Sequence, residues 1–234
     1  MINYKHIEQN SIEWHELKWG KIGGTLSKGL FIDSDTLFID LLSQHIEEFD
    51  MIDGFVNDAM QRGKDLEPYA LQYISQYTGI NFKKSGWLEC EENHLLGISP
   101  DGISECEEIA CELKCLSRKE HTALLVYEEL DKDKLCQIIH YFTVNPKLKK
   151  LYFLAFRPES INSYVKVFTR ESVVDLGWKT KVEVKQYGVK GQEIKPKTES
   201  VTDEKTIEEW VKIALTNADK LKVKITESIN KLKF

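Results

Sequence analysis

The sequence predicts a mixed α/β (α+β) protein: a central mixed β-sheet flanked by helices, with a helical C-terminal extension. Three patterns predict it. Ile109-Ala-Cys-Glu-Leu-Lys-Cys115 alternates as a strand does, with Ile109, Cys111, Leu113 and Cys115 on one face and Ala110, Glu112 and Lys114 on the other. Val56, Met60, Gly63, Ala70, Leu71, Ile74 and Tyr77 recur at three- and four-residue steps, the period of a helix. The tail repeats that period through Ile207, Trp210, Ala214, Leu221, Ile225 and Leu232.

In chain order, a short helix is expected around Ile12 to Trp19, then a glycine-rich turn from Gly20 to Gly24 and a helix over Phe38 to Phe49. The long helix from Val56 to Tyr77 follows. His94 to Ile98 reads as a strand ended by the turn Pro100-Asp101-Gly102. After the alternating strand come a helix over Lys134 to Val144 and strands at Lys150 to Phe156 and Ser163 to Thr169, the last two able to pair as a hairpin across Arg157 to Asn162. Lys190 to Val201, with Gly191, Pro196 and several charges, reads as a mobile connection. The tail from Thr202 to Leu232 reads as one helix capped by Thr202 or Asp203.

Composition narrows the class. A chain of 234 residues, 41% apolar and 30% charged, is globular in balance and needs no disulfides to fold. Its longest apolar run, Leu151 to Phe156, is far short of a bilayer span, and Met-Ile-Asn-Tyr-Lys-His lacks the apolar core of a signal peptide. Five cysteines, an odd number, argue against a secreted disulfide scaffold, so a cytoplasmic, intracellular protein is expected. The net charge of −6 is uneven. Residues 179–234 hold thirteen lysines against nine acids, a net of +4, which leaves −10 over residues 1–178. An acidic total does not exclude DNA, because carboxylates that hold metal add negative charge beside a local basic groove.

The chemistry lies in Ser99-Pro-Asp101-Gly, followed by Glu112-Leu-Lys114. If the strand ending at Asp101 pairs with the next, two carboxylates and an ammonium meet. Two hard oxygen ligands with positions left for water suit Mg²⁺ or Mn²⁺ rather than zinc. Such an ion polarises a phosphoryl oxygen and acidifies a bound water, while Lys114 offsets the carboxylate repulsion and orients or helps deprotonate that water. The set suits phosphodiester hydrolysis. The string alone equally describes a cross-strand ion pair on a wet sheet face, with Asp101 a turn former. Ile109, Ala110 and Cys111 weigh toward a central strand, on which charges are costly unless paired or metal-bound. Glu67 on the long helix, and Gln137 one turn from Tyr141 on a later one, join this set.

The ordered series Gly63-x-x-x-Glu67, Ser99-Pro-Asp101-Gly, Glu112-x-Lys114 and Gln137-x-x-x-Tyr141 resembles the PD-(D/E)XK nuclease superfamily. Trp14-His-Glu-Leu-Lys18-Trp-Gly-Lys-Ile22-Gly-Gly-Thr25 places the resemblance in its phage lambda exonuclease, or YqaJ-type viral recombinase, branch, over about residues 14 to 160. The resemblance implies a restriction-endonuclease-like core over residues 1–170, with residues 171–234 a mostly helical extension of the same single domain. It implies a Mg²⁺-dependent 5′→3′ exonuclease on double-stranded DNA ends, processive and serving phage-type recombination. Mn²⁺ would substitute, with two ions per site.

Asp101, Glu112 and the Leu113 carbonyl would bind one ion, and Glu67 a second or its water shell. Lys114 would position the water, Gln137 would hold Lys114 or the water, and Tyr141 would assist. Lys18, Thr25 and Ser99 would form a pocket for a 5′-phosphate. In two of these the branch carries arginine and serine instead; Lys18 keeps the charge without the two-pronged guanidinium, and Thr25 keeps the hydroxyl. The resemblance also implies a homo-oligomer, a ring-shaped trimer, and a single-strand annealing protein as partner. Rival readings are an endonuclease or single-strand nuclease of the same superfamily, and a DNA-end-binding protein without catalysis.

Other features read as structural. Cys106, Cys111 and Cys115 lack a C-x-x-C pair and read as core thiols, and His140 as a packed or hydrogen-bonded residue. Gly20 to Gly24 lacks P-loop spacing, so no nucleotide cofactor is expected. Trp19, Trp87 and Trp178 read as core residues before base-stacking ones, and Lys220 to Lys224 as the wet face of a helix.

Overall fold

The computed structural model describes residues 1–32, 34–50, 58–187 and 193–232, the side chains of 178–201 excepted. The predicted start of the long helix at Val56, the Trp178 side chain, and residues 190–192 of the expected connection lie outside the described residues.

The candidate residues Glu112 and Lys114 lie on a four-stranded mixed sheet in the order β4 (Gly102–Ile103), β5 (Ile109–Lys114), β6 (Lys150–Ala155), β7 (Tyr164–Phe168). β5 and β6 run parallel, Glu112 opposite Phe153, and the outer pairs are antiparallel, so the hairpin expected across Arg157 to Asn162 forms. A parallel pair requires a crossover. It is made by α4 (Arg118–Tyr127), opened by a Ser117–Glu120 capping box, and α5 (Lys132–Val144), capped by Asp131.

The alternation read in Ile109–Cys115 sorts two apolar layers. Ala110 joins a cluster with Leu151, Phe153 and the α5 residues Ile138, Ile139 and Phe142. Cys111 and Leu113 join Ala70, Ile74 and Phe82 on the other side. Ala70 and Ile74 belong to α3 (Asp58–Thr78), the predicted long helix. Among the described residues of its stripe only these two are buried; Met60 and Tyr77 are exposed, because the sheet is too small to cover a helix of 21 residues.

A second, antiparallel sheet joins β1 (Ile2–Tyr4), β2 (Trp87–Glu89) and β3 (Gly97–Ile98), so the predicted strand from His94 shrinks to two residues. A backbone bridge pairs Ile22 with Leu96. Between β1 and β2 the chain forms α1 (Ile12–Lys18), a 3-10 helix (Gly24–Leu30) and α2 (Asp35–Ile46).

The last quarter corrects two expectations. The segment read as a mobile connection belongs to β9 (Glu193–Thr206), which pairs with β8 (Val173–Tyr187) as a two-stranded ribbon. Residues 171–234 are thus ribbon then helix, not mostly helical. A two-stranded ribbon satisfies its backbone by pairing, and Pro196 with the charges around it made β9 read as a loop, although Val174, Leu176, Val182 and Val184 alternate along β8. The helix α6 (Ile207–Leu232) starts five residues later than read, and its cap is Thr206: the Thr206 Oγ1 accepts from Glu209 N at 3.2 Å while the Glu209 carboxylate accepts from Thr206 N at 2.8 Å. Ile207, Trp210 and Ala214 enter the same apolar cluster as Ile22 and Leu96. Among the described residues no helix is long and apolar enough to cross a membrane.

Candidate active site

Asp101 stands directly before β4, and β4 turns back through Ser104–Glu108 to pair with β5, Gly102 facing Cys111. Gly102 permits this approach: a Cβ there would lie 2.6 Å from the Cys111 sulfur. Pairing therefore brings Asp101 to β5, but through the strand that follows it. The expected pairing of the preceding strand with β5 does not occur, since β3 lies in the other sheet. The Leu113 amide donates to Asp101 Oδ2 at 2.7 Å, fixing the carboxylate at the strand edge.

Glu112 projects toward α5 and is only 2% exposed. Its Oε1 meets the Lys114 ammonium at 2.5 Å and its Oε2 accepts from the Tyr141 hydroxyl at 2.6 Å. Tyr141 is equally buried, and its role follows from its place on α5 above β5.

Burial, and next the charge of Glu112, push the Asp101 carboxyl well above its usual range, against the pull of Lys114 and the Leu113 amide. Burial works to lower the pKa of Lys114, but the adjoining Glu112 and Asp101 outweigh it and raise it. Lys114 is thus a charged donor here, which favours orienting a water over taking its proton. Burial and the same two carboxylates raise the Tyr141 hydroxyl well above its ordinary value, so it stays protonated and donates.

The expected ligands stand as a pair with a neighbour. Glu67 on α3 adds to the field at Asp101, and its Oε1 is held by Lys84 at 2.5 Å. Among the described residues no group of three or more His, Cys, Asp or Glu side chains is gathered around one point. The donor set nevertheless fits a hard divalent cation. Its atoms are carboxylate oxygens, and burial together with the neighbouring Glu112 already disfavours ionisation at Asp101, a penalty that a cation offsets. Such an ion would join Lys114 and Lys84 as positive charge facing these carboxylates.

Beside this cluster lies a cleft of about 430 Å³ lined by Lys18, Thr25, Ser99 and Gln137 among others. The residues expected around a 5′-phosphate therefore share one wall. Gln137 packs against Gly24, where a Cβ would come within 3.0 Å of its amide nitrogen. The cleft also shows what the sequence reading missed. Trp14 Nε1 donates to Ser99 Oγ at 2.7 Å, and the Lys18 ammonium sits 3.6 Å from the Trp14 ring centroid, so one buried indole places two polar groups. Their i, i+4 spacing on α1 was the available signal. The Gln9 amide, donating to Ser85 O at 2.7 Å and Pro100 O at 3.2 Å, braces the turn before Asp101 and had no sequence signal. Burial lowers the Lys18 pKa to about 8.

The remaining thiols and rings are mostly structural. Cys90, Cys111 and Cys136 are buried and Cys115 half-buried, whereas Cys106 is exposed because it sits in the turn between β4 and β5, a correction to its reading as a core thiol. Trp87 is buried, and Trp19 packs edge-on against Phe49. His140 is buried, its Nε2 at 3.1 Å from Ile22 O and 2.9 Å from Gly97 O.

This fold is shared with solved nucleases. An alkaline exonuclease (LHK-Exo) from Laribacter hongkongensis superposes with a TM-score of 0.71 at 16% identity, over 95% of this chain and 96% of that one. Its complex with dAMP superposes with a TM-score of 0.67 at 15% identity, over 95% and 98%. The architecture is thus that of the alkaline exonuclease structures. A profile of the YqaJ-like viral recombinase domain matches residues 13–147, more than half of the sequence, and the chain belongs to that family. No curated protein matches.

Proposed function

We propose that this protein is a metal-dependent deoxyribonuclease that removes nucleotides from the ends of double-stranded DNA, acting 5′→3′ and processively in phage-type recombination inside the cell. The observation that carries this reading is the meeting of Asp101, Glu112 and Lys114 at the β4–β5 junction, beside a cleft walled by Lys18, Thr25 and Ser99. Asp101, Glu112 and the Leu113 carbonyl are the proposed ligands of one Mg²⁺, for which Mn²⁺ substitutes, and Glu67 serves a second. The ion supplies charge for the phosphoryl oxygens and acidifies a water. Lys114, held charged by the carboxylates, orients that water, and Tyr141 fixes Glu112. Gln137 lines the cleft one turn from Tyr141 and holds Lys114 or the water.

Family membership supports the recombination role, and the dAMP held by a structurally similar exonuclease represents the class of product expected. A ring-shaped trimer would keep a net-acidic subunit on DNA by encirclement, with a single-strand annealing protein receiving the exposed strand.

The test is digestion of linear duplexes labelled at either end, with and without a 5′-phosphate, beside the same DNA as a covalently closed circle. We expect mononucleotides released from 5′ ends, an intact circle, and no cleavage by Lys114→Ala or Asp101→Ala. Cutting of the circle would replace this reading by an endonuclease, and undiminished cleavage by either variant would remove the assigned site.

A further inference from the structure

Arg62 on α3 and Arg157, two residues past β6, converge from different elements on one point at the end of β5. Arg62 Nη1 and Arg157 Nη1 donate to the same acceptor, Leu116 O, at 3.5 and 3.3 Å. Glu159 closes the group: its carboxylate accepts from Arg62 Nη2 at 3.0 and 3.3 Å and lies 3.5 Å from Arg157 Nε. The group borders the candidate active site. Leu116 is two residues beyond Lys114, Arg62 is five residues before Glu67 on one helix, and the Cys115 sulfur lies within electrostatic reach of Arg62, Glu67, Asp101 and Lys114 alike.

A purely structural role leaves this arrangement over-supplied. Two guanidiniums offer about ten N–H donors. Their acceptors among the described residues are one carbonyl, shared at long range, and one carboxylate whose side chain is 57% exposed. The Arg62 and Arg157 side chains are only 32% and 15% exposed, while the carboxylate that faces them lies at the surface and can exchange with solvent. The chain has only four arginines, so joining two of them beside the carboxylates is a specific local departure from a region whose net charge is −10.

We infer that Arg62 and Arg157 form a two-guanidinium clamp for a backbone phosphate of the DNA strand next to the bond being cut, and that Glu159 occupies the clamp as a carboxylate stand-in when DNA is absent. Planar forks matched to phosphate oxygens favour a phosphodiester over a base edge. The inference rests on the proposed function, since it needs duplex DNA at this face.

The test is fluorescence anisotropy of the full-length protein with a labelled, 5′-phosphorylated duplex in EDTA, which blocks hydrolysis, across a salt series. Arg62→Gln and Arg157→Gln should each weaken binding roughly 3- to 10-fold and lower the slope of log affinity against log salt by about one. Glu159→Gln should tighten binding by a few-fold, a change that loss of folding cannot mimic. Wild-type affinity and salt slope in both arginine variants, or no tightening in Glu159→Gln, would overturn the clamp while leaving the nuclease reading intact. Failure of the wild-type protein to bind the duplex would overturn both.

Discussion

Two residues make the candidate site electrostatically legible. Tyr141 supplies a buried hydroxyl to a buried carboxylate, a bond between a donor and a charge. Tyr141→Phe leaves Glu112 Oε2 without it and should lower stability by roughly 1.5–3 kcal/mol in metal-free buffer, read by urea unfolding. An unchanged midpoint would mean that the contact contributes nothing. Lys18 illustrates the opposite case, a cation placed against an indole in a cleft. Its pKa of about 8 lies below the unfolded value of 10.5, so between these limits the unfolded chain holds a proton that the folded chain has released. Stability should therefore rise with pH across that window. Lys18→Met should flatten the rise in melting temperature between about pH 8 and pH 10, and a 5′-phosphorylated duplex should lose its advantage over an unphosphorylated one. An identical pH profile in the variant would show that Lys18 is not the group responsible.

At the scale of elements, α5 is the piece that joins chemistry to core. Its Tyr141 reaches Glu112, its Gln137 the cleft, and its His140 pins Ile22 and Gly97 through one Nε2–H shared between two carbonyls. Among the described residues the buried Nδ1 of His140 has no partner, and burial lowers the imidazole to about 4 from 6.5. Stability should be complete above pH 6.5 and fall as pH drops through that range toward 4, because the unfolded chain binds the proton first. His140→Gln should reduce the acid sensitivity of the melting temperature; a variant as acid-sensitive as the wild type would assign the loss to other groups. Much of this layer was readable: α5, β5 and the β6–β7 hairpin carry strong apolar periods. The unread parts carried weaker signals. β1, β2 and β4 are two or three residues long, Pro196 and its charged neighbours made β9 read as a loop, and the alternation of Val174, Leu176, Val182 and Val184 along β8 went unused. In the site, side-chain identity and order sufficed for Asp101, Glu112 and Lys114. The contacts of Trp14 with Ser99 and of Gln9 with the Pro100 turn join residues 85 and 91 positions apart, and no local pattern encodes them.

For the molecule as a whole, the decisive quantity is the coupling between ion binding and folding. Carboxylates crowded in the absence of a cation should be relieved by one, so Mg²⁺ should raise the melting temperature. At a hundred times the dissociation constant the gain is about 2.7 kcal/mol, or roughly 5–10 °C for a chain of this size. Asp101→Asn should abolish the shift, and an equal shift in that variant would place the ion elsewhere. The whole assembly depends on the short reversal at Ser104–Glu108, where the Ser104 amide donates to Ile109 O at 2.8 Å, Glu107 adopts a φ of 65°, and Lys5 and Asn3 tether the Glu107 carboxylate. Because facing alternates with every position along a strand, deleting one residue there would rotate β5 by half a turn and present Asp101 and Tyr141 with a leucine and a thiol instead of an acid and an amine. A solvent-side bend with no proposed chemistry thus keeps count for the residues proposed to carry it, and a miscount of one would silence them with every one still present.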